Sequence, residues 1–286
     1  MSHFTVLVFG NDPEKQLAPY HEFECTGQDD EYVVDVDLTA DAKAAYEKYF
    51  LTVPREEKPQ TFFEYVQDYY GYKVIEDLAE RTEDHKFGYV FNDLLNTQIK
   101  VIQRTNPHAK WDWYELGGRW NNYFKLKNGS RANAAMKCDI DIEGMRYEAM
   151  AKAEKEYDAY AAAVAGLEPG KSFAEFRKLY PDTDKAREFY HAQPAKIALR
   201  KLDLYPFDDP FETFGTNKDA YVESKMNSAI STFAVIGDGL WFERGDMGWF
   251  GMVADEKDED TWAADFNKVL DELPAETLLS VYDCHI

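Results

Sequence analysis

The residues best equipped for chemistry lie in one stretch, Lys110-Trp111-Asp112-Trp113-Tyr114-Glu115-Leu116-Gly117-Gly118-Arg119-Trp120, which holds three of the chain's six tryptophans. Tryptophan faces stack on planar groups, and the Arg119 guanidinium suits bidentate binding of a phosphate or carboxylate. A small-molecule pocket built on Trp113, Tyr114 and Arg119 is therefore one reading. Trp and Arg are also the residues that most often dominate protein interfaces, which gives a second. The third is a core hairpin that buries Trp111, Trp113 and Trp120 and pairs Arg119 with Asp112 or Glu115. All three draw on the same candidate binding residues: Trp111, Asp112, Trp113, Tyr114, Arg119 and Trp120. In an extended strand Trp111, Trp113 and Glu115 face one way, and Asp112 and Tyr114 the other. Gly117-Gly118 permits a positive φ or a close backbone approach in the turn that follows.

A second candidate closes the chain. In Asp283-Cys284-His285 the thiol and imidazole are strand neighbours and point to opposite faces, so they do not make a nucleophile–base pair. Asp283 and His285 share a face and can form a carboxylate–imidazole pair; a terminus with partly satisfied polar groups is the plainer alternative.

Other signatures are missing. The six histidines (His3, His21, His85, His108, His191, His285) show no H-x-x-x-H or H-E-x-x-H spacing. Gly237-Asp238-Gly239 lacks the third glycine of a phosphate loop, and there is no G-x-S-x-G elbow. Cys25, Cys138 and Cys284 are an odd, widely spaced set, against a disulfide framework or a structural zinc. Asp35 and Asp37 have the chemistry for a hard cation, but on an edge strand they read first as protective charge. No catalytic residue, metal or cofactor is assigned.

The elements that must position these groups follow from hydrophobic pattern. With 286 residues, 45% hydrophobic and 15% aromatic, the chain can bury a large core. No apolar run reaches the roughly 18 residues of a membrane span, and the first residues lack the basic region of a signal peptide; a cytoplasmic location is expected. His3–Phe9 reads as a buried strand stopped by Gly10-Asn11-Asp12-Pro13, and 32–38 as an edge strand. Helices are expected over 41–49, from the Thr61/Glu64 capping box to Tyr70, over 143–164, 173–179, 184–192 and 217–227. Residues 87–91 and 99–102 make a hairpin whose loop holds Asn92, Asp93 and Asn96. Strands are expected over 231–236, 240–244 and 249–253. The clearest helix carries Trp262, Phe266, Val269, Leu270 and Leu273, with Asp258, Glu259 and Asp260 at its start. A buried strand then runs from Thr277, in the same sheet as the first and a candidate to lie beside it. The fold class is α+β: a mixed, largely antiparallel sheet with the N- and C-terminal strands in its core, packed by helices. The core domain spans 1–142 and 204–286, and 143–203 is a helical insertion.

The net charge of −22 is the strongest compositional signal. It argues against direct binding to nucleic acid or anionic lipid, which need a basic stripe. It suits solubility, or competition for a basic groove on another protein.

Three stretches resemble a family of proteins encoded by bacteriophages and prophages. They are Met1-Ser2-His3-Phe4-Thr5-Val6-Leu7-Val8 leading to Gln16-Leu17-Ala18-Pro19-Tyr20-His21-Glu22-Phe23-Glu24; Arg104-Thr105-Asn106-Pro107 through Lys110–Tyr114 to Gly117-Gly118-Arg119-Trp120; and Asp283-Cys284-His285. Both ends and the middle are covered. Between residues 50 and 60 this chain is shorter than relatives that carry extra Gly- and Cys-containing sequence, so a role resting there does not transfer. The resemblance implies an acidic accessory protein that inhibits a host anti-phage defence by binding a defence protein, as inhibitors of nuclease systems such as Gabija do. The expected partner is a host defence protein in the host cytoplasm, with a homo-oligomer left open. The rival expectation is a small-molecule or nucleotide binder, or an enzyme, on the aromatic stretch.

Overall fold

The strand opening at His3 lies at the centre of the fold because its side chains are apolar on both faces. The computed structural model describes residues 2–22, 31–52, 61–92, 98–202, 209–248 and 251–286. In chain order, β1 (His3–Phe9) and the short α1 (Pro13–Leu17) lead to β2 (Val34–Asp37), α2 (Thr39–Thr52), α3 (Phe62–Tyr70), β3 (Val74–Ile75), β4 (Gly88–Asn92) and β5 (Ile99–Thr105). Next come β6 (Trp113–Leu116), β7 (Phe124–Lys125), β8 (Arg131–Ala132) and β9 (Ala134–Met136). The helices α4 (Ile142–Val164), α5 (Phe173–Leu179), α6 (Thr183–Ala192), α7 (Pro194–Leu199), α8 (Pro210–Phe214) and α9 (Lys218–Asn227) follow. The chain closes with β10 (Ala234–Gly237), β11 (Leu240–Glu243), β12 (Asp246–Met247), β13 (Val253–Ala254), α10 (Glu259–Glu272) and β14 (Leu278–His285).

The protein is α+β. Its largest sheet has the order β11-β10-β1-β14-β6, with β9 pairing the other end of β14. Only β1–β10 is parallel in it. The first and last long strands are thus neighbours at the centre, paired antiparallel from His3↔His285 to Phe9↔Leu279. Alternation sends Leu7, Val235, Leu279 and Val281 to one face, against Trp262, Phe266 and Leu270 of α10. Phe4, Val6, Val8, Ile236, Tyr282 and Cys284 go to the other, against Leu17 and Trp111. A strand buried on both faces has to read as a continuous apolar run, and β1 does from Val6 to Phe9. Gly237 is required by packing, since a Cβ there would enter the Phe9 ring.

A second sheet, order β2-β5-β4-β3, has its own core of Tyr65, Val66, Val90 and Val101 under α2 and α3. The Thr61/Glu64 capping box forms, and Gly71 ends α3 at φ 64°. β2 is an edge strand, as expected. Asp35 is held there by Arg81, Arg104 and the Tyr89 hydroxyl, and Asp37 accepts from the Thr39 N–H, so neither carboxylate waits for a cation. The middle helices start at the side-chain caps of Asp141, Ser172, Asp182 and Asn217. Ala153 and Tyr160 of α4, Leu199 of α7, Phe214 of α8 and Tyr221 of α9 make one core. Asp209 caps the start of α8.

Three local expectations change. The aromatic stretch does not form a local hairpin: β6 pairs β14, while β7 pairs β8. Two buried central strands outcompete a local turn when a residual edge of β14 is open. The strand expected from 231 starts at Ala234, because Thr232 turns its hydroxyl onto the Ala234 carbonyl. The strand expected at 249–253 falls partly outside the described residues, as do Asp93, Asn96 and Cys25; what is described is β13 from Val253. Among the described residues no helix is long and apolar enough to cross a membrane.

Candidate functional site

Toward the start of β1 and the end of β14, the face that α10 covers turns from apolar to polar. Two cross-strand rows make this region. His3, His285 and Trp113 stand in register, and Thr5, Asp283 and Glu115 form the next row. All six share the face of Leu7 and Val281, two residues at a time up each strand.

Each imidazole is held by a different carboxylate. His3 Nδ1 donates to Asp283 Oδ1 at 2.8 Å, and His285 Nδ1 donates to Asp112 Oδ1 at 2.6 Å. The ring centroids are 4.8 Å apart at 67°. With Nδ1 committed, each Nε2 has no hydrogen-bond partner among the described residues, yet neither is sealed from solvent. The Asp283 side chain is 2% exposed, the two rings 15% and 13%, and Asp112 26%, so the pairs are largely withdrawn from solvent. Trp113, 48% exposed, stands edge-on to His3 at 6.4 Å.

The glycine pair is explained by Asp283. Gly117 (φ 78°) and Gly118 (φ 45°) open a single 3-10 turn, Gly118–Trp120, that lies on β14. A Cβ at Gly118 would collide with the Asp283 carboxylate, and one at Gly117 with the Asn133 amide. This approach lets the Arg119 N–H donate to Asp283 Oδ2 at 3.0 Å. Asn133 clasps the turn from the far side through Asn121 and the Leu116 carbonyl. A buried carboxylate that receives both an imidazole and a backbone N–H is fixed in position.

The candidate residues fall into three groups. Asp112, Trp113, Asp283 and His285 come together in the cluster. Arg119 joins it through its backbone; its exposed guanidinium pairs with neither Asp112 nor Glu115 and has no ion-pair partner among the described residues. Trp111 and Tyr114 are on the opposite side, in the core, edge-on at 4.9 Å. The alternation expected from Trp111 fails because the strand begins only at Trp113. Trp111 forms an isolated bridge with His21, stacks on its ring at 4.3 Å, and the bend at Asp112 resets the phase. Trp120, the last residue of the turn, is half-buried. Of the three tryptophans expected in a core, only Trp111 is buried. Asp283 and His285 do share a face, but they bind across the sheet to different partners and not to each other.

Sequence reasoning missed His3, read only as part of a strand. The signal was available: placing β14 antiparallel beside β1, end to end, sets His3 against His285.

Neighbouring groups are tuned by burial. Desolvation pushes the Cys284 thiol well above its usual range, with the adjacent Asp283 charge adding to it, so it is inert on the core face. Burial and then the Asp112 charge push the Glu22 carboxyl up. Burial alone would lower the Lys110 ammonium; its bonds to Glu243 and Asp246 outweigh that and hold it up, tying the start of the stretch to β11 and β12. No group of three His, Cys, Asp or Glu among the described residues is arranged to hold a metal ion. Neutral imidazole with an oriented Nδ1–H is a proton acceptor at Nε2, and imidazolium a donor there. No protein-family model, curated protein or solved structure matches this chain.

Proposed function

We propose that the protein binds a small planar anion of the nucleotide type at the polar end of its central sheet. Trp113 supplies the stacking face, Arg119 the cation, and the His3–Asp283 and His285–Asp112 pairs the floor. The observation that carries this reading is the pair of imidazoles with both Nε2 atoms free beside an exposed indole. An exposed tryptophan next to convergent polar groups is how small-ligand sites combine affinity with orientation. Titration with adenosine 5′-monophosphate, followed by tryptophan fluorescence and imidazole NMR shifts, tests it. Quenching that disappears in Trp113→Phe, together with shifts of the His3 and His285 signals, is the expected result. Absence of both signals at millimolar nucleotide rejects the reading.

A second reading draws on charge. A body carrying −22 is matched to a basic groove on a partner protein, and the resemblance to phage-encoded proteins supports a host defence protein as that partner. Retention of a defence complex on the immobilised protein, with rescue of phage growth on cells carrying that system, is expected. Neither effect occurring discards it.

A further inference from the structure

Holding an anion calls for a cation and a flat face; it does not call for two imidazoles pinned separately by two carboxylates. The other described histidines are not built this way. His85, for instance, spends Nδ1 on accepting from Thr82. At His3 and His285 the carboxylate fixes the ring, keeps the proton on Nδ1 and leaves Nε2 for proton exchange. We infer that His3 and His285 are a general acid–base pair and that the protein hydrolyses a phosphate-ester bond of its ligand. The inference rests on the ligand class proposed above.

The step balances. Water oxygen attacks phosphorus and gives a proton to the Nε2 of the ring that is neutral at the start. The bond from phosphorus to the leaving oxygen breaks with its electron pair on that oxygen, which takes the Nε2 proton of the other ring. Ester and water become alcohol and phosphate, and solvent restores the two rings. The ring centres are 4.8 Å apart on one face of the sheet, so both Nε2 atoms are within reach of a single ligand. Arg119, whose backbone N–H is bonded to Asp283, would supply the cation for the non-bridging oxygens. Asp283 and Asp112 are positioning residues: they set the tautomer and the aim of the rings.

The test uses the full chain with two probes, the p-nitrophenyl ester of thymidine 5′-phosphate and the dinucleotide thymidylyl-thymidine. Each of His3→Gln and His285→Gln is expected to lower kcat on the dinucleotide about 10²–10⁴-fold, with KM changed little. The wild-type pH–rate profile should have two limbs, and each variant should lose a different one. On the p-nitrophenyl ester, whose leaving group needs no proton, the variant lacking the acid should recover and the variant lacking the base should not. Asp283→Asn should lower kcat while circular dichroism stays native. If the double variant H3Q/H285Q hydrolyses either probe within tenfold of wild type, the acid–base assignment is wrong. Binding of the ester, seen as imidazole shifts, without release of p-nitrophenolate sinks the hydrolysis and leaves the ligand reading standing; no binding removes both.

Discussion

Gly118→Ala puts the architecture of the cluster to a direct test. At φ 45° an alanine is in left-handed backbone, which costs about 1 kcal/mol relative to glycine. The new Cβ also collides with the Asp283 carboxylate, so either the turn or Asp283 must move. Movement breaks the bond from the Arg119 N–H, a charge-assisted hydrogen bond at 3.0 Å to a carboxylate 2% exposed. Losing such a bond costs about 1.5–3 kcal/mol. The expected total is about 2.5–4 kcal/mol. Gly129→Ala is the control: its φ is 85°, with nothing within 4 Å of the added Cβ, so only the backbone cost of about 1 kcal/mol applies. Urea unfolding at pH 7 measures both, and the imidazole NMR signal of His3 should shift in Gly118→Ala alone. Equal destabilisation by the two variants would refute the claim that the glycine pair exists to seat Asp283.

Further outcomes are expected elsewhere in the fold. Phe266→Ala empties a fully buried site under the central sheet and should cost about 3–5 kcal/mol in the same unfolding assay. Ser172→Ala removes one half of the capping box of α5 and should cost about 1 kcal/mol, while Ser172→Thr should cost less. Tyr89 and Tyr282 are each pushed up to about 12, both first by burial, Tyr89 then by its bond to Asp35 and Tyr282 then by the Glu14 charge. Between pH 10 and 12 the unfolded chain therefore binds fewer protons than the folded one, so their stabilisation is complete below pH 10 and is lost as pH rises toward 12, on the order of 2 kcal/mol per residue. Urea midpoints at pH 9, 10 and 11 should fall, and fall less in Tyr282→Phe. Cys138, exposed, should react with a disulfide reagent in the native protein, whereas Cys284 should react only after unfolding, as peptide mass spectrometry will show.

How far these features were legible depended on the range of the interaction. Capping boxes at Thr61 and Ser172, the stop at Gly71 and the i, i+4, i+7 stripe of α10 are local, and short windows of sequence carry them. The choice of β14 over β7 as partner of β6 is not local. It is decided by which edge is left open once β1 and β14 have paired, and Lys110–Trp120 does not contain that information. The site shows the same division. Asp112, Trp113, Asp283 and His285 stood out by residue type. His3 did not, because its role comes from a partner some 280 positions away, Asp283. The phase of the aromatic stretch was misread because the bend at Asp112 is imposed by His21 and Glu22, which bond to the backbone of 111–112.

The net charge sets the two functional readings at odds until it is resolved in space, and salt separates them. Around the cluster two carboxylates are bonded to two imidazoles, with Arg119 beside them and Glu115 in the next row. A small anion reaching that site meets long-range repulsion from a chain carrying −22, and short contacts that are partly withdrawn from solvent. Salt shortens the Debye length to about 8 Å near 0.15 M and acts mainly on the first of these. Nucleotide association should therefore speed up, or hold constant, as salt rises from low ionic strength. Docking on a basic partner has the opposite sign, since attraction between the whole surfaces is what salt removes. Stopped-flow association rates across a salt series, with a nucleotide and with a candidate partner, measure the two directly. A nucleotide on-rate that falls steeply with salt would mean that a basic site governs capture, which the pairing of His3 and His285 with Asp283 and Asp112 does not provide.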